Sequence, residues 1–205
     1  AQRAGQLSRQ YEQSLKDDLR DTHEFNPERE TDIKPGDLFY LGPHRLMCGD
    51  ARNQQHVLDL CDGESCELGL TDPPYNIGYK YREYKDDLPP VEYEKFVHDF
   101  MTNMMVQTPF IIVTPGKGNE YIYFRGWNDV DWIVWNKRFG RSGSPVAYAA
   151  TAELVLFLGT KPEGKRLDVD VFDGGTDRIS GLREQHACPK PLGLWRHLLV
   201  GFTDL

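Results

Sequence analysis

The sequence predicts an α/β protein with an open, mostly parallel sheet flanked by helices. Short apolar runs alternate along the chain with amphipathic stretches at helical spacing, as expected where helices connect the strands of such a sheet. Residues 110–114 form a continuously apolar run, which is typical of a buried central strand. Residues 89–108 carry large apolar side chains on one helical face. With 205 residues, of which 39% are hydrophobic, the chain can bury one core.

Residues 1–34 are expected to be an appendage to the main domain. This segment is highly polar, and Leu7, Tyr11, Leu15 and Leu19 recur at helical spacing. The pattern predicts one amphipathic helix or a solvated linker. The main domain then comprises residues 35–205.

The first half of that domain is expected to hold three strands and a helix. Two short strands are predicted at 37–42 and 43–50, joined by a Gly-Pro turn. A helix is predicted at 53–61. Its inward-facing side chains are expected to be Val57, Leu58 and Leu60. A short buried strand at 66–71 then delivers Asp72 at its carboxyl end.

The second half is expected to add further strands and two long loops. The strands are predicted at 132–135 and 153–158. Residues 137–148 are rich in Gly, Ser and Arg, which predicts a long mobile loop. Residues 159–185 are loop-like as well.

Composition limits the range of functions. The 24 basic and 32 acidic residues give a net charge of −8, which counts against tight DNA binding by phosphate contacts alone but not against a local basic face. No apolar run reaches membrane-spanning length and the opening is not a signal peptide, so a cytoplasmic protein without membrane contact is expected. The four cysteines lack paired C-x2-C spacing, which predicts reduced, mostly buried thiols and no metal site.

The tetrapeptide Asp72-Pro73-Pro74-Tyr75 is the strongest functional signal. A carboxylate such as that of Asp72 can accept hydrogen bonds from the amino group of an aromatic base. The two prolines have a fixed φ and no N–H, so they can present backbone carbonyls rigidly. The Tyr75 ring could stack on a base rotated out of a helix. The alternative interpretation is a diproline turn that ends a strand, with Asp72 as an ordinary turn residue.

The stretch from Leu70 to Asn76 resembles motif IV of the DNA amino-methyltransferases, which methylate adenine N6 or cytosine N4. The resemblance covers nearly the whole chain after residue 35. Other similar stretches are residues 36–51, Thr114-Pro115-Gly116, residues 133–137, Glu153 and His186-Ala187-Cys188-Pro189-Lys190-Pro191. The motif order is similar to that of the circularly permuted class usually called beta, known from bacteria and phages.

The resemblance implies a Rossmann-like fold, S-adenosyl-L-methionine as cofactor and double-stranded DNA as partner. It implies that the catalytic residues are Asp72, Pro73, Pro74 and Tyr75. It implies that the cofactor is bound by Asp50, Thr71, Asp72, His186, Lys190 and Pro191. The substrate-binding residues that it implies are Tyr75, Asn76, Lys137, Arg138 and Arg141. Target-recognition loops are then expected within 137–185. A homodimer and a role in restriction–modification or in a phage would fit such relatives.

One part of the family pattern is missing. In the family, the Lys-Pro helix leads to a strand and the sequence Asp-Pro-Phe-x-Gly-Ser-Gly beneath the cofactor. This sequence stops at Leu205, where that segment would begin. We therefore expect a catalytic domain that is truncated or degenerate, with weak or no cofactor binding by the chain alone.

The leading hypothesis is thus a DNA methyltransferase that acts on an exocyclic amino group, with adenine N6 favoured. Cytosine N4 is the nearest alternative. Related enzymes that methylate RNA or a protein amide are another. A catalytically inactive relative that binds DNA or a partner belongs to a different class.

Overall fold

The computed structural model describes residues 31–81, 84–141, 150–174 and 190–204, and of 138–141 and 150 it describes the backbone alone. Residues 35–205 form one compact unit, to which every element below belongs. The helix predicted around Leu7 to Leu19 lies outside the described residues.

Seven strands and four helices are present in the described ranges. The strands are β1 (Leu38–Leu41), β2 (His44–Met47), β3 (Gly69–Thr71), β4 (Phe110–Val113), β5 (Asp131–Arg141), β6 (Ala150–Gly159) and β7 (Val171–Asp173). The helices are α1 (Gln54–Cys61), α2 (Pro90–Gln107), α3 (Glu120–Gly126) and α4 (Leu192–Phe202). Strands β1 and β2 form an antiparallel hairpin, as the Gly-Pro turn predicts.

The main sheet has five strands in the order β3-β4-β6-β5-β7. Strand β4 is parallel to β3, and β7 is parallel to β5. Strand β6 runs antiparallel to both of its neighbours, β4 and β5. All strands except β6 therefore run in one direction, which confirms the predicted open, mostly parallel sheet flanked by helices.

A hydrophobic core lies on each face of this sheet. Strand β4 is fully buried, and its side chains alternate between the two cores. Ile111 and Val113 pack with α2 and α3, whereas Phe110 and Ile112 pack with α4. The long amphipathic helix and the apolar strand were therefore both predicted correctly.

The β5–β6 hairpin extends beyond the end of β4. Val113, the last residue of β4, pairs with Leu156 of β6. From there β5 and β6 remain paired through Asn136 and Ala152, and after a register shift Arg141 pairs with Ala150. The prediction of a loop that begins at residue 137 is therefore wrong for 137–141, and residues 142–149 lie outside the described residues.

Four further points of the prediction need correction. Strand β7 lies within the stretch 159–185 that was predicted to be loop, and helix α3 was not predicted. Helix α1 has no fully buried residue, and Leu58 is 36% exposed instead of facing inward. Of the described cysteines, Cys48 and Cys66 are exposed and Cys61 is partly buried, so the expectation of mostly buried thiols is wrong for them.

No helix in the described ranges combines the length and the apolar character needed to cross a membrane.

Candidate functional site

Asp72 lies at the carboxyl end of the parallel pair β3 and β4. Thr71 is the last residue of β3, and its carbonyl accepts a hydrogen bond from the Thr114 N–H at 3.1 Å. This bond continues the ladder by one step, so Asp72 and Thr114 leave their strands side by side. In open α/β sheets, ligands bind at this edge.

Three side chains converge on the Asp72 carboxylate. The Thr114 hydroxyl donates to Oδ1 at 2.5 Å, and the Tyr75 hydroxyl donates to the same oxygen. The Lys190 ammonium lies 3.1 Å from Oδ1 and 3.3 Å from Oδ2, and it also contacts the Tyr75 hydroxyl. The Lys190 side chain is 3% exposed and that of Asp72 is 24% exposed. Charge-assisted hydrogen bonds of this kind fix the orientation of a carboxylate.

Tyr75 is kept protonated by its surroundings. Burial, and then the negative charge of Asp72, raise the pKa of the Tyr75 phenol far above its ordinary value. The hydroxyl therefore stays a donor to Asp72. The ring packs on the backbone of Gly116, where an added Cβ would lie 2.5 Å from Tyr75 Cγ. Gly116 also has a φ of +74°, so both its space and its backbone require glycine.

The backbone of the tetrapeptide is fixed from two other elements. The Tyr93 hydroxyl of α2 donates to the Pro74 carbonyl at 2.8 Å, and Asn119 Nδ2 donates to the Tyr75 carbonyl at the same distance. The Pro73 carbonyl accepts no hydrogen bond within the described part of the chain. Of the two proline carbonyls, the second is thus occupied, whereas that of the buried Pro73 has no hydrogen-bond partner among the described residues.

A buried carboxylate holds the residues that follow. Asp86 is 2% exposed and accepts backbone N–H groups of Asn76, Ile77 and Tyr79 at 2.8, 3.1 and 2.9 Å. The Asn76 side chain also bonds both backbone groups of Leu88, at 2.9 and 2.6 Å. These bonds hold Asn76 in the left-handed region, with a φ of +56°.

Lys137 lies beside this cluster and is paired. Its ammonium is 2.5 Å from Glu153 Oε1, and the two side chains are 17% and 20% exposed. The buried Trp135 ring lies near two ammonium groups, 5.7 Å from that of Lys137 and 6.0 Å from that of Lys190. The charge of Lys137 is thus matched by that of Glu153. A contact between Lys137 and DNA stays a prediction.

Asp50 belongs to a separate arrangement before α1. Its carboxylate accepts Arg52 Nε at 3.0 Å, and this hydrogen bonding holds the pKa of Asp50 below its ordinary value. The Asp50 N–H donates to His56 Nδ1 at 3.1 Å. Asn103 of α2 donates to the Ala51 carbonyl, which ties this turn to the main core. In the described ranges, no hydrogen bond or ion pair joins Asp50 to Asp72.

The structure thus brings together three of the predicted site residues, Asp72, Tyr75 and Lys190. Pro191 is the N-cap residue immediately before α4. Arg138 and Arg141 lie on β5, and nothing is described of their side chains. His186 lies outside the described residues.

Sequence reasoning did not include the supporting residues. Thr114, Tyr93, Asn119 and Asp86 come from four separate segments, and each acts on the tetrapeptide or its neighbours through long-range contacts. The only available signal was the Thr114-Pro115-Gly116 stretch after a buried strand. No group of three or more His, Cys, Asp or Glu side chains in the described ranges could hold a metal ion.

Comparisons with known proteins find similar solved structures but no match by sequence. No family model matches the sequence, and no curated protein matches it. A solved structure that resembles it is titled "crystal structure of M1.HpyAVI-SAM complex", with 16% sequence identity and a TM-score of 0.46. The match covers 76% of this chain and 75% of that chain.

Proposed function

We propose that this protein is an S-adenosyl-L-methionine-dependent methyltransferase that acts on an exocyclic amino group of a nucleic-acid base, with adenine N6 in duplex DNA as the first candidate. The observation that carries the proposal is the Asp72 carboxylate, oriented by three donors at the carboxyl end of β3. An ordinary turn aspartate needs no such set of buried partners.

The chemistry requires two acceptors for one amino group. The lone pair of an aromatic amine is delocalised into the ring, and acceptors on both amino hydrogens favour a more tetrahedral, more nucleophilic nitrogen. Asp72 Oδ1 already receives three donors, whereas Oδ2 receives the Lys190 ammonium at 3.3 Å. A carboxylate offers about four lone-pair sites, so Oδ2 retains acceptor capacity. The unoccupied Pro73 carbonyl supplies the second acceptor.

The supporting side chains have distinct roles in this proposal. Lys190 and Thr114 hold the carboxylate in one orientation, which reduces the cost of arranging it during the reaction. The Tyr75 hydroxyl also orients the Asp72 carboxylate, and its hydrogen bond places the Tyr75 ring beside the two proposed acceptors, Asp72 Oδ2 and the Pro73 carbonyl. The amino nitrogen loses its proton after it has been methylated, so Asp72 does not need to be a strong base.

The cofactor would supply an electrophilic methyl group on a sulfonium. Asp50 fits a role in holding it, because its carboxylate is 43% exposed and can accept hydrogen bonds from ribose hydroxyls. Lys190 fits less well as a cofactor ligand, because its ammonium is buried against Asp72 and Tyr75. We therefore assign Lys190 to the Asp72 cluster.

The β5–β6 hairpin is the proposed contact for nucleic acid. It extends past β4 on the side of Asp72 and carries Lys137, Arg138 and Arg141. Basic residues on one projecting element can supply a local phosphate-binding face on a chain whose net charge is negative.

The test is a direct assay of product. The longest available form of the protein is incubated with S-adenosyl-L-methionine and mixed-sequence duplex DNA, and the digested nucleosides are analysed by mass spectrometry. N6-methyladenine is the expected product, and N4-methylcytosine would move the assignment to the other base. Cofactor binding is measured separately by calorimetry. Binding without a modified DNA base would exclude DNA as the substrate, and absence of binding by the longest available form of the protein would exclude the proposed function.

The mechanism is tested with Asp72→Asn. Loss of a positioned charge at a reacting centre is expected to lower the rate about a hundredfold or more. Asp87→Asn is the control, because it makes the same chemical change at a residue that is 63% exposed and lies 15 positions after Asp72. A folded Asp72→Asn protein with unchanged activity would contradict the mechanism.

A further inference from the structure

Two cysteines lie within contact distance at the end of α1, and the second of them, Cys66, precedes β3, whereas Asp72 follows it. Cys61 is the last residue of α1 and Cys66 precedes β3, and their sulfur atoms are 3.9 Å apart. Cys66 is exposed and Cys61 is partly buried. The proposed methyltransferase chemistry uses neither thiol.

The local backbone explains why the sulfur atoms meet. Asp62 and Gly63 both have positive φ, +54° and +77°, so the chain reverses directly after α1. The Asp62 N–H bonds to the Leu58 carbonyl at 2.8 Å and closes the helix. The Glu64 N–H bonds back to the Cys61 carbonyl at 3.0 Å. This compact turn returns the chain so that Cys66 lies beside Cys61.

Residue 66 is also fixed from the other side. The Cys66 N–H donates to the carbonyl of Gln107, the last residue of α2, at 2.8 Å. The two thiols are therefore held by the fold on both sides of the turn. A disulfide needs a sulfur–sulfur distance of about 2 Å, so side-chain rotation over a short distance would close one.

We propose that Cys61 and Cys66 form a redox-active dithiol that closes to an intramolecular disulfide on reaction with a small-molecule disulfide such as oxidised glutathione. This assignment does not depend on the proposed methyltransferase function.

The exchange proceeds in two balanced steps. The Cys66 thiolate attacks one sulfur of oxidised glutathione, and one glutathione thiolate leaves. Cys61 then gives its proton to solvent and attacks the Cys66 sulfur, and the second glutathione leaves as a thiolate. The protein loses two protons and two electrons, and oxidised glutathione becomes two molecules of glutathione.

The order of attack follows from the surroundings of the two thiols. Burial, and then the neighbouring Cys66, raise the pKa of the Cys61 thiol above its ordinary value. Cys61 is therefore the less reactive thiol towards a reagent in solution. Exposed Cys66 reacts first, and Cys61 resolves the mixed disulfide because it is already within contact distance.

The sequence makes the product easy to detect. Trypsin releases residues 53–80 as one peptide, because no Lys or Arg lies between Arg52 and Lys80. That peptide contains both Cys61 and Cys66, whereas Cys48 lies in the preceding peptide. The full reduced chain is treated with oxidised glutathione at about 1 mM. The effective concentration of one neighbouring thiol at the other is of this order or higher, so ring closure competes with a second addition of glutathione. Remaining thiols are then alkylated before digestion.

The expected result is a peptide 53–80 that lacks two hydrogen atoms and carries neither glutathione nor an alkyl group. Cys48, which is exposed, is the internal control and should carry glutathione. If peptide 53–80 retains glutathione or alkyl groups when Cys48 has fully reacted, the dithiol assignment is overturned. This measurement uses the natural chain and does not require a variant to fold.

Two variants sharpen the result. Cys61→Ser should accumulate a stable glutathione adduct on Cys66, because no thiol remains to displace it. Cys66→Ser should leave Cys61 largely free of glutathione, because the partly buried thiol reacts slowly with oxidised glutathione. Equal glutathione addition in both variants would contradict the assigned order of attack. Phenylarsine oxide, which bridges two close thiols, should bind to the natural chain and to neither variant.

Discussion

Two turns of this molecule share an unusual backbone conformation and are held in different ways. Asn76, after the tetrapeptide, has a φ of +56°, and Asp62, after α1, has a φ of +54°. The Asn76 side chain bonds both backbone groups of Leu88, and its N–H donates to buried Asp86. Asp62 is held by one backbone bond to Leu58, and its 77% exposed carboxylate makes an ion pair with Arg45 at 3.3 Å.

The comparison shows what separates a candidate site from an ordinary chain reversal. A left-handed residue costs roughly 1–2 kcal/mol, which a local helix-ending bond can offset. The first turn is instead held by side chains from several distant segments, which determine the position of each backbone group. Long-range side-chain bonds, and not the backbone conformation, therefore distinguish the turn of the candidate site.

The largest effect is expected for Gly116→Ala. The added Cβ would lie 2.5 Å from the Tyr75 ring, at a position with a φ of +74°. Overpacking and backbone strain together should lower the free energy of unfolding by about 2–4 kcal/mol. Gly118→Ala is the matched control, because its φ is +95° and nothing lies within 4 Å of an added Cβ. Guanidinium denaturation of both variants measures the ring contact, and equal losses would contradict it.

A smaller loss is expected for Asp86→Asn. Both carboxylate oxygens of Asp86 accept backbone N–H groups, and an amide would turn its NH2 toward one of these donors. The free energy of unfolding should fall by about 2–3 kcal/mol. Hydrogen exchange at Ile77 and Tyr79 should become faster. Asp87→Asn is the control, with an expected change within about 0.5 kcal/mol, and unchanged exchange in Asp86→Asn would contradict the role of the carboxylate.

Alkaline pH should weaken the fold through Tyr75. Its pKa is raised in the folded state, so the stability that this group contributes is complete below about pH 10 and is lost as pH rises further. Tyr75→Phe should make the decline in unfolding free energy above pH 10 shallower by about 1.4 kcal/mol per pH unit. Denaturation at pH 9, 10 and 11 gives both slopes, and parallel slopes would show that the phenol is not protected.

The two turns can be compared directly with glycine. Asn76→Gly relieves the left-handed strain but removes two hydrogen bonds to Leu88, for a net loss of about 1 kcal/mol. Asp62→Gly relieves the same strain and removes only the ion pair of an exposed carboxylate with Arg45, so it should change stability by no more than about 0.5 kcal/mol. Thermal denaturation measures both. A stabilising Asn76→Gly would remove the distinction between the turns.

Much of this fold was predictable because its signals are local. The apolar run that forms β4 and the one-sided apolar pattern of α2 both depend on residues close in sequence. The same holds for the hairpin β1–β2. Helix α3 has seven residues, which is too short for a clear apolar period.

Other features depend on partners that are distant in the chain. The composition of residues 137–141 is typical of a loop, but pairing with β6 holds the backbone as a strand. Nothing in the sequence of β6 specifies its direction. The resemblance predicts that Lys190 binds the cofactor, which stays a prediction, and its contact with Asp72, 118 residues earlier, had no signal in the sequence. The predicted end of the strand before Asp72 and the tetrapeptide itself were enough to locate the candidate site. The contacts that support it could be identified only from the structure.

The antiparallel direction of β6 has a consequence for how such a protein could diversify. Residues 142–149 join the end of β5 to the start of β6. Both of these strand ends point in the same direction as the carboxyl end of β3, which Asp72 follows. The register between β4 and β6 is set farther along the strand, from Val113 onward. A connection of another length or composition could therefore join the same two strand ends without changing the pairing of β4 with β6 or the position of Asp72.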